Sequence, residues 1–427
     1  MKKTAFFSLL SSSAVGVVNA VTFTPLDDKP GLIDNGTFGP AVEVVHLFEN
    51  QPPIGITVGS TGRAFVNFNR GDLPTNPTTV AEIINSTTEV PFPSLEFNTP
   101  PEGLTNSSSG RILGSSDTNH FINVQSVVHD AKGRLWAIDT GRPVIDGGDN
   151  PPAAPGGPKL VGFDLSDDSN GTTPFKTITF PETVLPALGY LNDIRFDLSP
   201  NLTASGEGVA YIADSGAHGI IVVDLGTGES WRHLDSIHAT NPVSQFLPTL
   251  FGAPTYQASA RNPAFHWETV AGGGIDGFAI SANGKFIYFT PIASRDFYRV
   301  ETGPLRVNPA DDPFAVIRAV QSVQYLGQLG GGADGLETDD TGTIYLSSPE
   351  HNSVNTFNPQ TGMIELFVRD PMIAWPDTLS VANDGFLYFT VNQLWLSPVY
   401  QNGTDKRVKP FALLRVPIKG GPVLLGA

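Results

Sequence analysis

Along most of the chain, short runs rich in Val, Ile, Phe and Tyr alternate apolar with polar positions, and clusters of Gly, Pro, Asn and Asp bound each run. A period of two puts successive side chains on opposite faces of a strand, so the pattern predicts sheet almost throughout. Helical periodicity is scarce, and the stretch 241–270 is the candidate for a helix.

Laid on itself, the chain repeats. Six segments open with a lead residue, continue as an alternating strand, reach a turn glycine and return through a strand centred on an aromatic. The first three are Ile54-Gly55-Ile56 with Gly62 and Phe65, Gln125-Ser126-Val127 with Gly133 and Trp136, and Asp193-Ile194-Arg195 with Gly208 and Tyr211. The others are Asp276-Gly277-Phe278 with Gly284 and Tyr288, Asp334-Gly335-Leu336 with Gly342 and Tyr345, and Asp377-Thr378-Leu379 with Gly385 and Tyr388. In all but the third, the lead residue precedes its glycine by eight positions; the third carries an insertion that contains Asn201.

One four-stranded blade per repeat accounts for this, with the repeat as the inner hairpin and the intervening stretches as outer strands. Ile220–Asp224 with Ser230–Leu234, and Val354–Asn358 with Ile364–Val368, read as such outer hairpins. A single blade cannot bury both faces, whereas blades set radially can, and a closed ring protects its sheet edges. The fold class predicted is therefore all-β, a six-bladed β-propeller. The spacing between repeats is irregular and mostly longer than the roughly 40–45 residues of WD40 blades, which disfavours that class. Closure is expected from Val42–Phe48 and Phe411–Pro417, strand-like segments at the two ends that would share one blade. The recurring Trp136, Tyr211, Tyr288, Tyr345 and Tyr388 read as core between blades. Residues 21–40, 71–120 and 141–158 read as surface loops.

Residues 1–20 change the picture of compartment. Lys2 and Lys3 precede an apolar run from Ala5 to Val18, and Val18-Asn19-Ala20 supplies a small-residue cleavage site, the pattern of a signal peptide. That run is shorter than the roughly 18 residues of a membrane span. A secreted, extracellular single domain over 21–427 is expected. Six Asn-x-Ser/Thr sites, at Asn35, Asn85, Asn106, Asn170, Asn201 and Asn402, fit a glycoprotein. The chain has no cysteine, which excludes disulfides, thiolate metal sites and cysteine nucleophiles. Its formal charge of −17 argues against nucleic acid or anionic membrane as partners, both of which require basic patches, and suits cations or amines.

A hairpin returns the chain to its starting end, so the lead residues share one channel mouth with the ends of the second strands. The lead column reads Ile54, Gln125, Asp193, Asp276, Asp334, Asp377. Carboxylates this close cannot all stay ionised without a cation or raised pKa values. A hard cation such as Ca²⁺ takes about 6–8 oxygens, and Asp193, Asp276, Asp334, Asp377 and the Asn192 amide are its candidate ligands. Asp139, Asp214, Arg295, Asp296, Glu350 and His351 extend the same rim and suit recognition of a polar ligand or acid–base work. An Asp at a strand start also serves to bond neighbouring backbone N–H groups, and that plainer role stands beside the first. His351 and His218 also read as loop residues, and Arg295 as a bridge to Asp296 or Asp276. Trp267 and Trp375 each precede a lead segment, where they would line the mouth. Metalloprotease, nucleophile-elbow and phosphate-loop motifs are absent from the sequence.

These segments resemble the major royal jelly protein/yellow family from about residue 40 to about residue 425. The likeness is carried by PIGITVGSTGRAFVNF from Pro53, SVVHDAKGRLWAIDTG from Ser126 and LNDIRFD from Leu191. AYIADSGAHGIIVVDLGTGESWRHLD from Ala210 and GFAISANGKFIYFTPIASRDFYRV from Gly277 continue it. The resemblance implies a six-bladed propeller, with roles that range from nutritive proteins to pigment-pathway proteins and binders of biogenic amines. Insect members carry cysteines; this chain looks more like microbial ones. NDIRFD, IDGFAISANGKFIYFT and GADGLETDDTGTIYLSS also resemble gluconolactonase-type propellers, which hold a divalent cation over the channel, although Ile54 stands where one acidic ligand of those enzymes would fall. The expected function is binding of a small polar or aromatic molecule at the acidic mouth. The alternatives are a Ca²⁺-assisted lactone hydrolase, an isomerase of an oxidised catechol, or a storage glycoprotein.

Overall fold

The turn glycines of the repeat adopt the left-handed backbone that lets each inner hairpin close. Gly62, Gly133, Gly208, Gly284, Gly342 and Gly385 all have φ between +69° and +88°, a region where a Cβ is costly. The structure is a computed structural model that describes residues 36–70, 78–100, 118–142, 152–165, 171–243, 246–255, 273–398, 400–401 and 403–427, and the backbone of a short strand pair at Thr105–Asn106 and Ile112–Leu113.

Six four-stranded antiparallel sheets form a propeller. Blade one comprises Pro53–Val58, Ala64–Phe68, Val80–Asn85 and Thr88–Pro91, and blade two Val124–His129, Arg134–Asp139, Lys159–Asp164 and Pro174–Thr179. Blade three comprises Leu191–Asp197, Val209–Asp214, Gly219–Asp224 and Ser230–His233, and blade four Ile275–Ile280, Phe286–Pro291, Asp296–Glu301 and Gln324–Gln328. Blade five comprises Leu336–Thr338, Ile344–Ser348, Ser353–Asn358 and Met363–Arg369. Blade six takes Pro376–Val381, Phe386–Val391 and Phe411–Pro417 from the end of the chain and its outermost strand, Glu43–Phe48, from the beginning.

That last pairing sets Phe48 against Phe411 and Leu47 against Ala412, so the two ends seal the ring as the sequence predicts. The innermost strands neighbour one another in cyclic order around the channel. Between successive blades lies one apolar layer: Phe65 with Val127, Trp136 with Ile194, Tyr211 with Phe278, Tyr288 with Leu336, Tyr345 with Leu379, and Tyr388 with Ile56. The repeated aromatics are thus core, and Gly36–Ala427 forms one compact unit.

One expectation is corrected. The stretch 71–120 is not all loop, because Val80–Asn85 and Thr88–Pro91 are the outer strands of blade one; their apolar positions are few since only one face packs inward. The described part of 241–270 contains the small pair Thr249–Leu250 and Ala253–Pro254, while most of the stretch expected to hold a helix lies outside the described residues; a helix the pattern did not suggest is formed by Ala315–Gln321, where Ala315 and Ala319 are buried. Asn85 and Asn201 are exposed. Asn35, Asn170, Asn402 and Trp267, like residues 1–20 on which the expected leader falls, lie outside the described residues, and for Asn106 only the backbone is described. Among the described residues no helix is long and apolar enough to cross a membrane.

Candidate functional site

The lead residues sit where the innermost strands break register. The pairing of each inner hairpin slips at Ile54, at Gln125, across Asn192 and Asp193, across Asp276 and Gly277, and across Asp377 and Thr378. Such bulges free a residue from the ladder and re-aim its side chain. In blade five the ladder starts only at Leu336, and the Asp334 and Gly335 N–H groups donate to Ser347 Oγ at 2.8 and 3.0 Å instead. Ile54, Gln125, Asn192, Asp276, Asp334 and Asp377 consequently surround one cavity of about 110 Å³, with Tyr190, Pro52, Ile292 and Leu394 on its walls. By the share of volume a water takes in the liquid, that is room for about three or four waters.

Burial is the main force on the carboxyls here. It pushes Asp276 well above the usual carboxylate range, the Asp334 and Asp193 charges push it further, and a hydrogen bond from the Asn192 amide opposes them. Asp276 and Asp334 also influence each other directly, the Asp334 charge being one of the forces that raise Asp276. Asp334 rises to about 6 through burial, although the Trp375 indole N–H, donating to its Oδ2 at 2.7 Å, holds it back. Asp377 rises well above the usual range through burial and the charges of Asp334 and Asp276, with Asn392 Nδ2 donating to its Oδ2 at 2.7 Å. Asp193 is raised by burial but has a cation: Arg195 Nη1 lies 2.7 Å from its Oδ1. No ion pair reaches Asp276, Asp334 or Asp377 from any cationic side chain among the described residues.

Trp375 takes a different place from the one its sequence position suggests. It is 1% exposed and buried against Asp334, so it shapes the site from behind and offers no open face at the mouth. Its φ of +66° is unusual for a bulky residue, a strain of about 1–3 kcal/mol that the surrounding packing sustains. Gln125 is half-buried and accepts the Tyr190 hydroxyl at 2.7 Å. Asn192 Nδ2 donates to Ser215 Oγ at 2.8 Å.

The rest of the expected rim is spread apart and spoken for. Asp139 pairs with buried Lys159 at 2.9 Å and accepts the backbone N–H groups of Ile122, Asn123 and Gly141. Asp214 accepts those of Tyr190, Gly216 and Ala217 and pairs with Arg232 at 3.0 Å. Both are pins between loop and blade. Arg295 bridges to Glu350 at 2.6 Å, not to Asp296 or Asp276, and its guanidinium lies 4.7 Å from the Phe246 ring centre. Asp296 accepts bonds from Tyr298, Tyr325 and Gln328. His351 is exposed and bonded to Ser348 Oγ, and His218 to Asn241 Oδ1. Sequence reasoning missed Arg195, Tyr190 and Asn392. Asn392 was within reach, since it directly follows the second strand of blade six, as Asp139 and Asp214 close theirs.

The oxygen-rich donor set invites a divalent cation, but no group of three or more acidic or histidine side chains among the described residues is spaced to hold a metal. The carboxylates are held by Trp375, Asn392 and Arg195.

Comparison with known proteins places the chain. The profile of the family described as major royal jelly protein matches residues 122–409. No curated protein matches the sequence. Among solved structures, a luciferin-regenerating enzyme is similar at TM-score 0.51 and 12% identity, over 91% of this chain and 100% of that one. A calcium-binding regucalcin from Agrobacterium tumefaciens is similar at 0.48 and 11%, over 91% and 98%, and a gluconolactonase from Xanthomonas campestris at 0.41 and 11%, over 89% and 99%. At such identities the likeness concerns the fold.

Proposed function

The chain belongs to the major royal jelly protein family, and from that premise we propose that it is a secreted binding protein whose acidic channel mouth takes the ammonium group of a small polar or aromatic amine. One observation carries this reading: three buried carboxyls with raised pKa values face one small cavity and lack a cationic partner among the described residues. A cation entering there offsets the burial and mutual repulsion that favour their protonated forms. The cavity of about 110 Å³ admits a head group, while Pro52, Ile292 and Leu394 give the body of the ligand an apolar wall.

Because the guest replaces protons, binding releases them and tightens as pH rises from about 5 to 8. Calorimetric titration with amines, catechols and indoles in two buffers of different ionisation enthalpy reads both effects. Buffer-dependent heats from amines, reduced at least tenfold in affinity by Asp276→Asn, are the expected result. Silence from every amine, or binding indifferent to Asp276→Asn, would sink the proposal.

A second reading is favoured by the buried, mutually interacting carboxyls of Asp276 and Asp334, both raised above the usual range: a hydrolase or isomerase in which that pair acts as general acid toward a lactone or an oxidised catechol. Turnover of either substrate class that Asp276→Asn abolishes would replace the binding reading with this one.

A further inference from the structure

Tyr288 departs from a pattern that three other blades keep. In blade two the Trp136 indole N–H donates to Asp130 Oδ2 at 2.8 Å, in blade five the Tyr345 hydroxyl donates to Asp339 Oδ2 at 3.0 Å, and in blade six the Tyr388 hydroxyl donates to Asp384 Oδ2 at 2.7 Å. Each carboxylate stands in the turn of its inner hairpin, and the bond ties the second-strand aromatic to that turn. The turn of blade four reads Ser281-Ala282-Asn283-Gly284. Ser281 and Asn283 occupy the aspartate positions and bond each other at 2.9 Å, so Tyr288, 2% exposed, receives no carboxylate. Its hydroxyl makes no hydrogen bond among the described residues.

What Tyr288 meets instead is a cavity of about 670 Å³ between blades four and five. The cavity lies at the turn end of the inner hairpins, hence on the face opposite the acidic mouth. Its volume falls in the range of about 300–1,000 Å³ typical of small-molecule sites. Phe286 and Arg299 line it from blade four, and Asp340, Asn358 and Gln360 from blade five. One cation and one anion leave this lining near neutral, unlike the mouth. Amides, a carboxylate and a guanidinium offer paired donors and acceptors that match adjacent hydroxyl groups, each of which both gives and takes a hydrogen bond. Aromatic carbon beside them suits the C–H face of a ring.

We propose that this cleft is a second binding site, for a neutral saccharide unit, with the Tyr288 hydroxyl as its anchor. The site is independent of the mouth. The probes are the methyl glycosides of glucose, galactose, mannose and N-acetylglucosamine and their β-linked disaccharides, followed by saturation-transfer NMR and titration on the full chain. At least one is expected to bind. Gln360→Ala with Arg299→Met, both away from the core, should weaken it about tenfold, Tyr288→Phe about fivefold, and Asp276→Asn not at all. Should no probe bind, or should binding survive the Gln360/Arg299 pair unchanged, the proposal is wrong; loss on Asp276→Asn alone would assign the sugar to the mouth and equally overturn it.

Discussion

Replacing Asp334 by Asn isolates the electrostatic strain of the mouth. The carboxyl titrates at 3.8 when free and at about 6 in the fold, where burial is the chief cause. Well below pH 4 both folded and unfolded chains carry the proton and the group contributes nothing. Between pH 4 and 6 the unfolded chain gives its proton up while the folded one keeps it, so stability falls as pH rises. Above pH 6 both are ionised and the loss is complete, roughly 3 kcal/mol from the two pKa values. An Asn side chain cannot ionise, yet its oxygen still accepts the Trp375 N–H and its amide can still donate to Asp276. Asp334→Asn should therefore come within about 0.5 kcal/mol of the parent at pH 4 and exceed it by up to about 3 kcal/mol at pH 8. With an unfolding entropy of about 2.1 cal/mol/K per residue over roughly 390 residues, that is a rise in Tm of about 4 °C. Scanning calorimetry of both proteins across pH 4–8 measures it. An equal difference at pH 4 and pH 8, or a variant less stable at pH 8, would show that Asp334 is not held under strain by burial.

Two further outcomes follow from the packing. Phe48→Ala, which empties a fully buried site on the outermost strand of blade six and removes its edge contact with Phe68 at 5.7 Å, should cost about 3–5 kcal/mol by urea denaturation; a cost under about 1 kcal/mol would mean the first strand does not seal the ring. Lys159→Met strands the Asp139 charge, with both partners fully buried, and should cost about 3–5 kcal/mol at pH 7; a loss under about 1 kcal/mol would mean that the backbone N–H groups around Asp139 suffice alone.

How far the site was legible depended on the kind of interaction. The lead column could be read because a bulge repeats at the same position of five blades, and the repeat itself shows where. What surrounds each carboxyl could not be read the same way. Asp193 finds Arg195 two residues along its own strand, a local contact, but Asp334 finds Trp375 from the segment that leads into the next blade, in a left-handed backbone no pattern announces. Asp139 and Asp214 share the hairpin end with the lead residues, yet their partners Lys159 and Arg232 lie on outer strands and make them pins instead of rim. The outer strands of blade one stayed hidden because their Ser- and Thr-rich surroundings carry few apolar positions.

Short-range physics was written in the chain itself: strand period, turn glycines with positive φ, one aromatic per repeat, and terminal segments able to pair. These need only neighbours a few residues away, which is why the six blades and their closure follow from sequence. Which carboxyls keep a proton, which acquire a cation, and which turn leaves its tyrosine unclaimed were decided by tertiary structure, because burial and charge act across the channel and between blades on residues that the chain order keeps far apart.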